Sequence, residues 1–199
     1  SDIVIAQTDA ADGFSDLAGI GIGKAVGLLC REHGKQRGIG LDPLAVIDIE
    51  VITVDEMRIM GGASGAAIGG GLGLAISADF RVTCPEARFA ANFTRLGFHP
   101  GFGLTTTLPE LIGRQKASLV FYPSRRFKGD EAFEMGMADI LVDQDQVRAA
   151  ALDLAREIAV NSPLGVVSTR ATLRAGLADR VAAATDHELK EQEWLRATE

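Results

Sequence analysis

Three consecutive glycines, Gly69, Gly70 and Gly71, stand where a short apolar strand gives way to a helix-period run through Leu72, Ala75 and Ile76. Glycine at such a junction lets the backbone turn tightly and lets another molecule approach the main chain. The first N–H groups of the following helix have no intrahelical acceptor and sit at the positive end of its dipole. They can therefore hold a developing negative charge. The same glycines would serve equally in a tight strand-to-helix turn that binds nothing.

Side chains able to move a proton are sparse around this point. His99 lies in a glycine-rich turn and can act as a base near neutral pH, although a loop histidine more often has a structural hydrogen bond. Asn92, Thr94 and Arg95 are the other polar candidates. If residues 88–93 form a strand that carries on, alternation puts Asn92 and Thr94 on one face and Phe93 and Arg95 on the other. Asp79 is expected to fix a turn, Cys84 has no base near it in sequence, and His33 and His187 fall among charged helical residues. No His, Cys and Asp set has zinc spacing, so no metal site is expected.

The elements that must hold these residues alternate along the chain. Strands are expected over residues 3–6, 44–54, 59–63, 80–83 and 88–93. Helices are expected over residues 24–36, 105–112, 115–121 and 130–135, the last three bounded by Gly113 and Gly136. Val147, Ala151, Leu154 and Ile158 share one face of a further helix. Ser162 and Pro163 read as a cap with proline at the first helical position, Gly176 as a stop, and residues 177–196 as a charged final helix. Short strand-turn-helix units followed by helices alone suggest a superhelix of small β-segments with helices outside.

Composition bounds the rest. The chain has 199 residues, 47% hydrophobic and 24% charged, as expected of one folded domain with at most an appendage. A net charge of −7 with no basic cluster argues against a nucleic-acid surface. No run is long or apolar enough to span a membrane, and the first residues open no signal peptide. Cys30 and Cys84 make a disulfide framework improbable, so a reducing cytoplasm is expected. The segment GIGIGKA (residues 19–25) fails as a phosphate loop, because Ala18 and Ala25 stand where glycine and Ser or Thr are needed.

The stretch RIMGGASGAAIGGGLGLAISAD (residues 58–79) resembles the enoyl-CoA hydratase/isomerase, or crotonase, family. Gly65, Ala67, Gly69 to Gly71, Leu74, Ala75 and Asp79 match its glycine-rich turn and helix. The likeness continues through FRVTCPEARF (80–89), LGFHPGFG (96–103), LPELIG (108–113) and EMGMAD (134–139). The resemblance implies an α/β fold of the ClpP/crotonase type: a spiral of short β-segments with outer helices and a helical C-terminal tail. It implies a core over residues 1–140, incomplete at its start, and a helical oligomerisation region over residues 141–199. Homotrimers or hexamers are expected.

By the same resemblance, the substrate is an acyl-CoA thioester, with coenzyme A part of the substrate and no bound cofactor. Gly70 would supply an oxyanion N–H, and His99 would lie beside the acyl pocket. Phe14, Ser15, Asp16 and Leu17 match the loop that carries the second donor and reads the adenine, while Gly69, Phe93 and Thr94 would line the substrate site. Asp16 follows Ser15 directly, without the family's intervening small residues, so the loop is either shortened or incomplete. The family's hydratases use two glutamates; at those positions this chain has Gly73 and Phe93. The expectation is therefore an acyl-CoA-processing enzyme (lyase, isomerase or hydrolase, of the kind found in fatty acid metabolism) for which ordinary hydration is doubtful. Alternatives are a catalytically inert acyl-CoA-binding protein and, failing the adenine site, an interaction module.

Overall fold

The computed structural model describes residues 3–6, 49–54 and 57–198. The expected helix over residues 24–36, the Phe14-to-Leu17 loop, Cys30 and His33 lie outside the described residues.

Two small sheets share the chain. The larger has the order β1 (Ile3–Ala6), β2 (Ile49–Val54), β3 (Met57–Ala63), β5 (Phe80–Thr83), β8 (Ile140–Leu141). Its first three strands pair antiparallel, and β3, β5 and β8 run parallel. The smaller sheet has the order β4 (Ala66–Ile68), β6 (Arg88–Ala90), β7 (Arg126–Lys128). The chain leaves the first sheet at Ala63 and enters the second at Ala66, and it makes the same step from Thr83 to Arg88. Helix α1 (Gly70–Ser77) connects these two stepped passes, so each pass is one turn of a spiral. The β-spiral with helices around it is thus the arrangement the sequence pattern suggests.

Seven helices are described: α1, α2 (Leu104–Ile112), α3 (Arg114–Phe121), α4 (Gly129–Met135), α5 (Val147–Ala159), α6 (Pro163–Leu173) and α7 (Leu177–Arg196). Leu72 of α1, Phe89 of β6, Leu104 and Leu108 of α2, Val82, Val120 and Met137 are all fully buried in one cluster. Burying a side chain of this size contributes about 1.5–3 kcal/mol, so these residues dominate the packing. Helix α5 sends Val147, Ala151 and Ala155 into the same cluster, with Leu154 and Ile158 packed against its edge. It lies on β2, β3 and β5 and so belongs to the core layer. No described helix is long and apolar enough to cross a membrane.

Two polar ties fix the spiral. Arg81 is 2% exposed, and its guanidinium donates to the carbonyls of Met137 (2.8 Å) and Ala78 (2.9 Å) and to the Asp139 carboxylate (3.0 Å). Burial lowers its pKa, opposed by the charges of Asp139 and Asp79. Asp79 accepts from Arg170 at 2.7 Å and from Arg174, which holds α6 against the turn between α1 and β5. Gly129 lets its backbone pass close to that of Cys84. A Cβ there would lie 1.8 Å from the Cys84 carbonyl oxygen.

Some boundaries differ from the sequence expectation. The strand of residues 88–93 stops at Ala90, and Thr94–Leu96 form a 3-10 turn closed by Gly97 at φ 74°. The alternation assigned to residues 92–95 therefore does not apply. The strand expected over residues 44–54 is described from Ile49. The short strands β4, β7 and β8 escaped the pattern, since two or three residues are too few to show a period.

Candidate active site

The site is built around the first turn of α1. Strand β4 ends at Ile68, and Gly69 takes φ 57°, a left-handed value that a side chain would resist. Its N–H donates to Ala90 O at 2.9 Å, pinning the turn to β6. Gly73 N–H donates to Gly69 O at 3.2 Å and closes the first helical turn. The N–H groups of Gly70, Gly71 and Leu72 precede the first acceptor of the helix and emerge from its positive end. That of Gly70 has no acceptor among the described residues.

Aromatic rings crowd this turn. A Cβ placed on Gly70 would lie 2.6 Å from Phe102 Cζ, and one on Gly73 would lie 2.6 Å from Phe102 Cβ. A Cβ on Gly69 would meet Asn92 Oδ1 at 3.2 Å and Phe93 Cζ at 3.9 Å. The glycines therefore leave room for Phe102 and Phe93, both packed against the edge of the core. Gly73 has no space for any side chain while Phe102 stays where it is. The fold thus brings together Gly69, Gly70, Gly73, Asn92, Phe93 and Phe102.

Phe102 is itself held in an unfavourable backbone state, at φ 66°. A left-handed conformation costs a side-chain-bearing residue roughly 1–2 kcal/mol. The neighbouring contacts supply the compensation. Glu188 of α7 is 1% exposed, and its carboxylate accepts from Gly103 N–H at 2.8 Å, Thr105 N–H at 3.1 Å and Thr105 Oγ1 at 2.5 Å. Gly103 is the cap of α2 and has no side chain to satisfy these amides, so the acceptor comes from another helix. A carboxylate is also the favoured charge at that helix end, and charge-assisted bonds are each worth about 1.5–3 kcal/mol. Gln192, one turn further along α7, donates to His99 O at 3.0 Å.

The remaining candidates take other positions. His99 Nδ1 lies 2.8 Å from Pro100 O; since a carbonyl only accepts, Nδ1 carries the proton and Nε2 is the basic nitrogen. Its ring packs edge-on against His187 of α7, with centroids 5.9 Å apart. Thr94 Oγ1 donates to Phe121 O at 2.7 Å and lies 2.6 Å from Ser124 Oγ, so its hydroxyl ties the 3-10 turn to the end of α3. Both oxygens of Asp79 are engaged by arginines. Cys84 is buried, with Sγ 3.6 Å from Ser64 O, and burial pushes its thiol pKa up, the wrong direction for a nucleophile. Among the described residues no group of three His, Cys, Asp or Glu is placed to hold a metal. An open surface hollow of about 540 Å³ lined by Pro85, Val142, Asp143 and Asp153 shares no residue with the glycine turn.

Sequence reasoning missed Phe102 and Glu188. A phenylalanine between two glycines in PGFG was the available signal for the first, because such a turn must present its one side chain somewhere. Glu188 gave none: it stands among Asp186, Lys190, Glu191 and Glu193 in a helix that reads as charged throughout.

Comparison with known proteins agrees with this architecture. A family model described as enoyl-CoA hydratase/isomerase matches residues 45–199. The chain is 30% identical over 122 residues to the short-chain-enoyl-CoA hydratase of Clostridium acetobutylicum, covering 61% of this chain and 47% of that protein. Among solved structures, an enoyl-CoA hydratase/isomerase from Pseudoalteromonas atlantica superposes with a TM-score of 0.64 at 25% identity, over 67% of this chain and 54% of that one. A structure from a dehydratase/decarboxylase enzyme couple of polyketide beta-branching gives 0.63 at 27% identity, over 69% and 62% of the two chains. The chain spans about half the length of the first two relatives, 47% and 54%. With most of its residues matched by the family model and its spiral shared with these structures, the chain belongs to the enoyl-CoA hydratase/isomerase family.

Proposed function

We propose that this chain processes acyl-CoA thioesters by stabilising a thioester enolate at the Gly70 N–H, without the pair of glutamates that hydratases use. The observation that carries this reading is the Gly70 amide at the positive end of α1, unpartnered among the described residues, with aromatic rings packed around it. A thioester oxygen seated there gains negative charge as the enolate forms. A preorganised donor facing that oxygen contributes about 3 kcal/mol to the transition state. Gly70 has the Phe102 ring against it and remains partly open to solvent.

Proton transfer is the missing half. Gly73 and Phe93 have no titrating group, and Phe102 occupies the space a longer side chain at residue 73 would need. The site therefore suits a reaction in which the enolate forms without a carboxylate base. Loss of carbon dioxide from a carboxylated acyl group is one such step: the carbon–carbon bond breaks, its electron pair becomes the enolate held at the Gly70 N–H, and the α-carbon then takes a proton from solvent water. The same crowding by Phe102 favours a second reading, an inert protein that binds acyl-CoA. For the assembly, a homotrimer or hexamer built through α6 and α7 would cover Leu164 and Trp194, which are 83% and 53% exposed.

Calorimetry and turnover on a panel of CoA thioesters test the proposal. Thioesters should bind more tightly than the corresponding free acids. Hydration of a trans-2-enoyl-CoA should be absent or very slow, since each lost acid or base costs about 100- to 10,000-fold. Turnover of a carboxylated acyl-CoA separates enzyme from inert binder. No heat and no competition with any acyl-CoA would overturn both readings.

A further inference from the structure

The strongest unassigned feature is the buried carboxylate of Glu188, which sits on the last helix yet grips the turn beside the candidate site. Its three acceptor contacts all go to Gly103 and Thr105, the residues that follow Phe102. Phe102 has a left-handed backbone, at φ 66°, and its ring lies over Gly70 and Gly73. Nothing in a phenylalanine favours that backbone state, so the turn holds its shape only while its amides are fixed. Val181 of the same helix also packs on the turn: a Cβ on Gly103 would lie 2.8 Å from Val181 Cγ1.

We propose that Glu188 is a positioning residue that fixes the Phe102 turn, and that Phe102 thereby sets the length of acyl group accepted beside Gly70. The inference rests on the acyl-CoA reading given above. An acyl chain leaving a carbonyl held at the Gly70 N–H starts within reach of the Phe102 ring. A fixed ring limits the chain to a short acyl group, and a ring free to swing away admits a longer one. Helix α7 is therefore coupled to substrate choice through one carboxylate.

The test compares dissociation constants for acetyl-CoA, butyryl-CoA and octanoyl-CoA across variants whose folding is checked by thermal unfolding. Wild type should favour the short thioesters. Phe102→Ala should raise relative affinity for octanoyl-CoA by about tenfold or more, in the range that hydrophobic pockets discriminate added methylenes. Glu188→Gln should shift the preference in the same direction, and the double variant should shift it no further than Phe102→Ala alone, because both act through one ring. Should Glu188→Gln fail to fold, Thr105→Val removes one of the same hydrogen bonds and should give a smaller shift of the same sign. Arg180→Ala, which breaks the exposed ion pair to Glu110 between the same two helices, should leave the preference unchanged. A loss of stability in folded Glu188→Gln with unaltered acyl preference would overturn the inference while leaving the acyl-CoA reading standing. Wild type that binds none of the three thioesters would overturn both.

Discussion

At the scale of single residues, the absence of a side chain at Gly73 is a steric matter as much as a chemical one. A carboxylate introduced as Gly73→Glu would drive its Cβ to within 2.6 Å of Phe102 Cβ. Overpacking of this kind costs about 1–3 kcal/mol. Gly73→Glu alone is therefore expected to lower the unfolding temperature without conferring enoyl-CoA hydration. A Gly73→Glu/Phe102→Ala pair should recover the stability, as thermal unfolding and enoyl absorbance would show; undiminished stability in the single variant would mean that Phe102 yields. Part of this site was legible: the glycine turn with Gly73, and Phe93 four residues before Gly97, stand in successive short motifs readable without the fold. Glu188 was not, because its role arises from a contact between residues 85 positions apart in sequence, and Phe102, whose PGFG turn was a signal, is placed only by its packing on Gly70 and Gly73. Gly70→Ala is also no silent control, since its methyl would lie 2.6 Å from the Phe102 ring.

At the scale of elements, charge joins what hydrophobic burial does not. Helix α6 buries no residue fully, and its attachment to the spiral runs through Arg170, together with Arg174 just past its end, both bound to Asp79. Asp79→Asn should therefore destabilise the protein by about 1–3 kcal/mol, the penalty for leaving partly buried guanidinium groups without their carboxylate. Amide exchange should rise in α6 and hardly change in α5, whose Val147, Ala151 and Ala155 are in the core. Equal loss of protection in both helices would contradict this division. The C-terminal helices were readable because caps and stops declare themselves locally: Ser162 Oγ accepts from Gly165 N–H at 3.4 Å, and Gly176 turns at φ 71°. What the sequence could not show was the step between sheets, where β3 and β4, separated only by Ser64 and Gly65, pair with different neighbours.

At the scale of the whole molecule, the spiral aims the open end of α1 at a turn that the last helix holds in place. One helix end, one aromatic ring and one distant carboxylate thereby form a single arrangement. The proposed hydrogen bond from the Gly70 N–H to a thioester oxygen is open to direct measurement. The most direct measurement is the infrared carbonyl stretch of bound acetyl-CoA labelled with carbon-13 at the thioester. In wild type the stretch should move to lower frequency on binding, as hydrogen bonding polarises the carbonyl. Gly70→Pro removes the donor but brings the same Cβ toward Phe102 as Gly70→Ala does, so the two are read together: in folded variants that still bind CoA, the shift should largely disappear in Gly70→Pro and persist in Gly70→Ala. An unshifted carbonyl in wild type, or a shift that persists in folded Gly70→Pro, would contradict the account.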